Sequence, residues 1–451
     1  MVPDGSAPCL RLEYDIMFPA DERPFLDSIR VNPFEDGPRL VYADYLDDTG
    51  NPLDARRAEL VRTQVAIARL PQEHARRAEL ANREAELLDA HGRDWTAPLA
   101  SLGAKFQFRR GVPDTVAIDA ATFLSRGEEL FDNTQIRPGR SFVRRVKLHD
   151  PARVLAELVE CPLLNQIEEL DLGWSDLGNG GVSLLVSSHH LGAVAWLNLE
   201  NNRLDDAGVL ALARAATLPQ LRSLALNDNG QIGAEGVAAL AESPFLAGLL
   251  ELDLAGNDVN EAGVRALVRG RATTRLHSLK LHENPIGPGI ASLVQSELFA
   301  RMIARDSHLD LHRCAIEASG VEALGASPQL RRGTGLNLSE NYLGDAGVQA
   351  LCRGELENLR TLRLGRNQIA DAGAKAILAT SLPRLELLDL SGNRLTRRGV
   401  EALKAAAKTR GFALEAANNG TEPMAALPPA ATDVDHLAEL RRRVSHPTRP
   451  R

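Results

Sequence analysis

The sequence predicts an α/β solenoid of repeated strand–turn–helix units, preceded by a small helical domain. Three observations support this fold class. A short leucine-rich stretch that ends near an asparagine recurs within residues 140–420, at steps of mostly 26 to 28 residues. A glycine follows each stretch, inside a segment whose apolar residues have helical spacing. The first hundred residues carry neither pattern. Because such periods are typical of repeat architectures, a stacked array is predicted.

Each strand is predicted from alternating leucines, as in "LDLAGNDV" at 252–259, because alternate residues of a strand share one face. Asn257 then stands where the chain leaves the strand and turns. We interpret it as a scaffold residue, since its amide can satisfy backbone groups that the turn would bury without partners. The same slot holds Asn202, Asn229, Asn257, Asn284, Asn341, Asn367 and Asn393, with Ser175 and Cys314 in two deviating copies and Asn419 in a weak last copy.

Each helix is predicted after the turn, as in "NEAGVRALVRG" at 260–270. An acidic residue ahead of Ala-Gly-Val marks the helix start, and apolar residues then recur at helical spacing. The small Ala and Gly are expected to let each helix approach the sheet closely. Stacking such units predicts a parallel sheet inside and helices outside. The glycines of this ladder are Gly181, Gly208, Gly236, Gly263, Gly289, Gly320, Gly347, Gly373 and Gly399.

The repeated pattern LxxLxLxx(N/C)xL resembles that of the leucine-rich repeat superfamily, over about residues 140–420. The full helices resemble the subclass seen in ribonuclease inhibitor and in Ran GTPase-activating proteins. This resemblance implies a curved horseshoe that mostly binds other proteins.

The first hundred residues predict three helices broken at Asn32-Pro33 and Gly50-Asn51-Pro52, with a fourth after Pro71. The stretch resembles the repeat-companion domain of many bacterial leucine-rich repeat proteins, which implies co-occurrence with repeats and no known chemistry. The resemblance rests on Phe25-Leu26, Asn32-Pro33, "PRLVYADYL" at 38–46, Gly50 and "RAELVRTQ" at 57–64. The predicted domains are a flexible N-terminus at 1–20, this helical domain at 21–100, an N-terminal cap at 101–140, leucine-rich repeats at 141–420 and a Pro/Ala/Arg-rich disordered tail at 421–451.

Composition narrows the classes of function. The 451 residues have a formal net charge of -8, which does not favour nucleic acid as the main partner. Four widely separated cysteines suit a reducing compartment. Without a signal-peptide pattern or a long apolar run, a cytoplasmic location away from membranes is expected. No familiar catalytic or nucleotide-binding motif is found, so we expect no enzyme activity and no cofactor.

The candidate binding residues lie beside the strand leucines, where side chains are predicted to point to the concave side of the sheet. These slots are polar and vary between repeats, as is typical of a binding surface on a rigid scaffold. Their charges predict an acidic N-terminal part up to Asp253 and a more basic part near Arg313, Arg363 and Arg366. The candidates are Glu169, Asp171, Trp174, Trp196, Glu200, Asp228, Glu251, Asp253, Lys280, His282, His308, Asp310, His312, Arg313, Arg363 and Arg366.

Two features within this set allow alternative interpretations. An exposed Trp174 or Trp196 within an acidic rim is a candidate anchor for a basic partner, but Trp196 could equally pack against a neighbouring strand. His282 and His312 share a slot and should lie about 5 Å apart across the sheet. With His308 they could ligate zinc, although a solvated polar face is the favoured interpretation.

The sequence therefore predicts a non-enzymatic scaffold that binds a protein partner on the concave face. A GTPase-regulatory module, similar to the Ran-activating relatives, is the alternative. A metal-dependent site at the three histidines is third. The sequence does not identify the partner or the oligomeric state.

Overall fold

The computed structural model describes residues 22–32, 35–70, 74, 76–131 and 143–419. The chain forms two compact units, Met1–Asp171 and Leu172–Arg451. The predicted flexible N-terminus at 1–20 and the predicted disordered tail at 421–451 lie outside the described residues. The boundaries of the predicted domains stay a prediction.

The first unit begins with the four helices that the sequence predicts. Their bounds are α1 Arg23–Val31, α2 Gly37–Asp48, α3 Pro52–Arg69 and α4 Arg76–Trp95. The helices α1 to α3 pack around buried Leu26, Tyr42, Leu46 and Val61. Asn51 caps α3, because its side chain accepts a hydrogen bond from Leu53 N at 2.9 Å.

A hairpin of two antiparallel strands follows these helices. Its turn lies against α3, where Gly111 N donates to Gln64 Oε1 at 2.6 Å. Gly111 has φ +87, and a Cβ there would stand 2.1 Å from a methyl group of Val61, so the contact requires glycine. The remaining elements of this unit are the strands β1 Lys105–Arg109, β2 Val112–Asp119, β3 Arg145–His149 and β4 Glu169–Asp171, and the helices α5 Ala120–Arg126, α6 Glu128–Phe131 and α7 Leu155–Leu158. The strands β2, β3 and β4 pair in parallel.

The second unit repeats a short parallel strand, a turn and a helix. The central leucines pair in register, as Leu224 does with Leu252, and are buried. This architecture confirms the predicted α/β solenoid. Its strands are β5 Trp196–Asn198, β6 Ser223–Ala225, β7 Glu251–Asp253, β8 Ser278–Lys280, β9 His308–Asp310, β10 Gly335–Asn337, β11 Thr361–Arg363, β12 Leu387–Asp389 and β13 Ala413–Glu415. Its helices are α8 Gly178–Leu185, α9 Asp206–Ala213, α10 Ala234–Glu242, α11 Glu261–Arg269, α12 Gly289–Val294, α13 Glu297–Arg305, α14 Ala318–Gly325, α15 Gly344–Leu351, α16 Asp371–Ala379 and α17 Arg397–Arg410.

The asparagine slot has the scaffold role that the sequence predicts. Asn257 is buried, and its Nδ2 donates to Leu226 O of the preceding repeat at 2.9 Å and to Leu254 O of its own repeat at 3.0 Å. Its Oδ1 accepts from Gly230 N of the preceding repeat at 3.0 Å. One amide therefore satisfies backbone groups in two adjacent repeats.

The glycine ladder has a different cause from the one expected. A Cβ at Gly236 would stand 2.6 Å from Asp206 Oδ1 and 3.1 Å from Asp206 Cα, both on the preceding helix. At Gly289 the nearest atom is Glu261 Cα, again on the preceding helix, at 2.9 Å. At these two positions the glycine allows neighbouring helices to lie close to each other, rather than a helix to lie close to the sheet as predicted.

Candidate functional site

The strand face consists of the side chains on either side of each buried central leucine of the strands. These side chains are half-buried or exposed at most positions, as the alternation predicts. Nine of the predicted binding residues occupy this face: Glu169 and Asp171 in the first unit, and Trp196, Glu251, Asp253, Lys280, His308, Asp310 and Arg363 in the second.

The other seven predicted residues lie in the turns that follow the strands. Glu200, His282 and His312 stand two residues before the asparagine slot. Trp174, Asp228, Arg313 and Arg366 stand directly before it. We call this second position the turn row; its members are Trp174, Asn201, Asp228, Gly256, Glu283, Arg313, Glu340, Arg366, Gly392 and Asn418.

Every residue of the turn row has a left-handed backbone. The values of φ are +63 at Trp174, +57 at Asp228 and +66 at Gly256. Such a conformation costs a residue other than glycine about 1–2 kcal/mol. Sequence reasoning missed this shared backbone, although glycine at Gly256 and Gly392 was a signal for it.

Trp174 is the most exposed large apolar side chain at the turn row, with 60% of its surface accessible. Its Nε1 donates to Glu200 Oε1 at 3.1 Å, which orients the ring. Trp196, on β5, is half-buried. The structure therefore favours Trp174 over Trp196 as an exposed anchor.

Three carboxylates of the second unit are bonded to neutral donors. Glu200 accepts from Trp174, Glu251 Oε2 accepts from Ser223 Oγ at 3.1 Å, and Asp228 Oδ2 accepts from Asn227 Nδ2 at 2.9 Å. Partial burial, followed by the nearby Glu283 and Asp253, raises the pKa of Asp228. Glu200, Asp228 and Glu251 thus form an acidic surface along the strands and the turns that follow them, and the described residues make no ion pair to these three carboxylates.

Other predicted acids are compensated by neighbouring strands. In the first unit Arg145 pairs with Glu169, and Lys147 Nζ lies 3.7 Å from Asp171 Oδ2. In the second unit Lys280 Nζ lies 2.8 Å from Asp253 Oδ2. The region of uncompensated negative charge is therefore smaller than the acidic part that the residue types alone predict.

The histidines separate into a stacked pair and a third ring with its own partner. The rings of His282 and His312 stack with centroids 4.9 Å apart, close to the predicted spacing. His308 Nδ1 instead lies 3.5 Å from Asp306 Oδ1. Across the described ranges, no group of three or more His, Cys, Asp or Glu side chains could hold a metal ion.

His312 is held between two carboxylates. Its Nδ1 lies 2.8 Å from Asp310 Oδ1 and its Nε2 lies 3.1 Å from Glu283 Oε1. These hydrogen bonds raise the pKa of His312 to about 9. The bond from His312, with that from Arg313, lowers the pKa of Glu283 to about 2 despite partial burial. At neutral pH His312 is a cation with both ring nitrogens occupied.

Four successive members of the turn row form a ladder of alternating charge. Arg313 Nη1 lies 2.9 Å from Glu283 Oε2, and Arg313 Nε lies 2.8 Å from Glu340 Oε2. Arg366 Nη1 lies 3.6 Å from Glu340 Oε1. Glu283 and Glu340 were not among the predicted residues; the alternation of charge in one slot could have identified them. Arg313 is thus paired on both sides, whereas Arg366 is only loosely paired and, like Arg363, is exposed.

The comparisons with known proteins agree with this geometry. A family model described as Leucine Rich repeat matches seven segments: residues 165–186, 197–213, 218–241, 249–268, 334–352, 355–378 and 383–404. The chain therefore carries leucine-rich repeats, which fold as the α/β solenoid described above. None of its helices in the described part of the chain is long and apolar enough to cross a membrane.

Curated relatives carry similar repeats. The chain is 30% identical over 207 residues to a ribonuclease inhibitor of Sus scrofa, covering 44% of each chain. It is 31% identical over 238 residues to a ribonuclease inhibitor of Mus musculus, covering 44% of this chain and 45% of that one. A NACHT, LRR and PYD domains-containing protein 5 of Bos taurus is 29% identical over 200 residues, covering 36% and 18%. These matches span less than half the length of each relative.

Proposed function

We propose that the protein is a non-enzymatic scaffold that binds a protein partner on the strand face and turn row of its second unit. The partner presents a basic segment to the acidic surface formed by Glu200, Asp228 and Glu251, and packs an apolar or cationic side chain on Trp174. The observation that carries this proposal is the exposure of Trp174 beside Glu200, a carboxylate to which the described residues make no ion pair.

The physical chemistry of the surface supports a protein partner. Tryptophan is enriched among the residues that contribute most to protein interfaces, and its ring face attracts cations. Uncompensated carboxylates attract a basic partner over distances of about 10 Å at ordinary salt, which favours encounter. Two of the similar proteins are ribonuclease inhibitors by name, so they act on another protein. These names support a protein partner for this chain.

The experiment is affinity capture from a native lysate of the source, followed by binding measurements with the partner that is recovered. Trp174→Ala and Glu251→Lys are compared with Glu401→Lys, an exposed change on the outer helix α17. We expect the first two changes to weaken binding by about tenfold or more and the third to have little effect. Loss of binding only with Glu401→Lys would contradict the proposal and favour the helical side.

A matched pair of charge reversals sharpens this test. Glu251 and Asp253 flank the same leucine, but Lys280 already neutralises Asp253. We therefore expect Glu251→Lys to weaken binding more than Asp253→Lys, and raised salt to reduce the difference. Equal effects would show that uncompensated charge is not what the partner recognises.

A further inference from the structure

The stacking of repeats in the second unit is interrupted between β8 and β9. At the preceding junction Leu254 N donates to Lys280 O at 3.1 Å, and at the following one Leu311 N donates to Asn337 O at 2.9 Å. Between β8 and β9 the described structure has no such bond from Leu281. The strands β5 to β8 and the strands β9 to β13 accordingly belong to separate ladders.

The asparagine slot is also weakened at this junction. In the next repeat Asn341 Oδ1 accepts from both Cys314 N and Ile316 N, at 2.9 and 3.0 Å. The side chain of Cys314 has no oxygen with which to accept the equivalent bonds from the repeat before it. Ile286 N donates instead to Asn284 O, at 2.7 Å. Thiols are also weak donors, and Cys314 Sγ lies 3.4 Å from Leu281 O.

An additional helix accounts for the interruption. The step from Asn284 to Cys314 is 30 residues, and α13 fills the extra length before β9. Its Arg301 donates to Leu276 O at 2.9 Å, ahead of β8. At the start of β9, His308 N donates to Asp306 Oδ1 at 2.9 Å rather than to the neighbouring strand. The residue that follows the inserted helix thus occupies His308 N, a donor that would otherwise be free to continue the ladder.

The turns still join the two ladders, mainly through Glu283. Glu283 N donates to His312 O at 2.9 Å, and the Glu283 carboxylate binds both His312 and Arg313. Gly287 N adds a bond to Cys314 O at 3.0 Å. One carboxylate therefore supplies both ion pairs at the place where strand pairing is missing.

We propose that the repeat array opens at this junction as two cooperative blocks, residues 172–287 and 308–419, and that the ion pairs of Glu283 act as the latch. In a repeat protein the stability is approximately a sum of repeat and nearest-neighbour terms, so the weakest junction opens first. This property concerns the free protein and does not depend on the proposed partner.

The turn row supplies a matched set of probes for hydrogen exchange. Three successive amides of this row make the same bond to the next repeat: Gly256 N to His282 O at 3.0 Å, Glu283 N to His312 O at 2.9 Å and Arg313 N to Ser339 O at 3.0 Å. Exchange resolved to single amides in the full-length protein should give Glu283 protection about tenfold or more below Gly256 and Arg313. Equal protection of the three amides would overturn the proposal.

Two variants, with one control variant, test the ion pairs of Glu283 and the asparagine slot. Glu283→Gln should lower the protection of Gly287 N further, whereas Glu340→Gln, one repeat later where the strands are paired, should leave the protection of Arg313 N largely unchanged. Cys314→Asn restores the amide found in other repeats and should raise the protection of Glu283 toward that of its neighbours. Equal losses in the two glutamate variants would show that Glu283 is no latch. No gain in Cys314→Asn would show that the missing amide does not weaken the junction.

Discussion

The asparagine slot and the turn row lie one residue apart in every repeat, yet they differ in almost every property. Asn257 is buried and bonds two repeats, whereas Gly256 before it has a left-handed backbone and, in other repeats, is replaced by tryptophan, acids and arginines. The asparagine is fixed by backbone groups that need a partner. The turn row is fixed only in backbone conformation, so its side chains are free to carry specificity.

The asparagine slot and the turn row also differ in how their contribution to stability depends on charge. The amides of the asparagine slot do not titrate, so their contribution should not depend on pH. The turn row contributes to stability mainly where its side chains pair across repeats, as Glu283, Arg313 and Glu340 do. The contributions of the asparagine slot and of the turn row to stability can therefore be distinguished by substitution and by their dependence on pH.

The largest effect is expected at the asparagine slot. Asn257→Ala leaves buried backbone groups unsatisfied and should lower the free energy of unfolding by about 1–3 kcal/mol. Binding by the molecules that remain folded should be unchanged. Denaturant unfolding measures the change. Asn227→Ala is the control, because the side chain of Asn227 bonds to Asp228 at the surface and its loss should cost within about 0.5 kcal/mol. Equal stability of Asn257→Ala and the parent would show that the Asn257 amide does not stabilise the fold.

A pH-dependent effect is expected where the turn row pairs with His312. The folded-state pKa of His312 is raised to about 9, so its stabilising contribution is complete below about pH 6.5 and is lost as pH rises through about 9. The Tm of the parent should fall over this window more than that of Glu283→Gln, which has lost one of the two carboxylates. Parallel curves for the two proteins would rule out this contribution.

A smaller effect of opposite sign is expected at Trp174. Trp174 has a left-handed backbone with φ of +63, which is unfavourable for tryptophan. In Trp174→Gly the backbone keeps this conformation without that cost. The free energy of unfolding should stay unchanged or rise by up to about 1 kcal/mol. A loss of more than about 1 kcal/mol would show that Trp174 packs as part of the fold.

The smallest effect is expected from zinc. Both ring nitrogens of His312 face carboxylates and the ring is protonated at neutral pH, so a metal ion would have to displace a proton. Zinc should leave the Tm unchanged, since only ligands that favour the native state raise it. A zinc-dependent rise that disappears in His282→Ala plus His312→Ala would overturn this interpretation.

Much of the fold could be predicted because it follows from local requirements. The alternating leucines reflect the burial of one face of each strand, and the buried asparagine reflects backbone groups that need a hydrogen-bond partner. Both requirements recur in every repeat. The interruption before β9 could not be predicted in the same way, since "LDLHRCAI" at 309–316 has the same strand pattern as its neighbours. Only the 30-residue step and the cysteine at 314 indicated it.

The candidate site was predictable by position but not by charge. The exposed slots beside the leucines follow from strand alternation, and Trp174 is exposed as expected. Whether an acidic residue is compensated by a neighbouring cation depends on side-chain contacts between strands about 30 residues apart, such as Lys280 with Asp253. Sequence patterns do not encode these pairings, so Glu283 and Glu340 were missed.

The most direct test of the division between the two rows is the affinity of Trp174→Gly plus Asp228→Gly for the captured partner. Both positions have the left-handed backbone that glycine adopts freely, with φ of +63 and +57, so the fold should be retained. We expect a Kd at least about tenfold higher than that of the parent, with a free energy of unfolding within about 1 kcal/mol of the parent's. An unchanged Kd in a folded double variant would contradict this division.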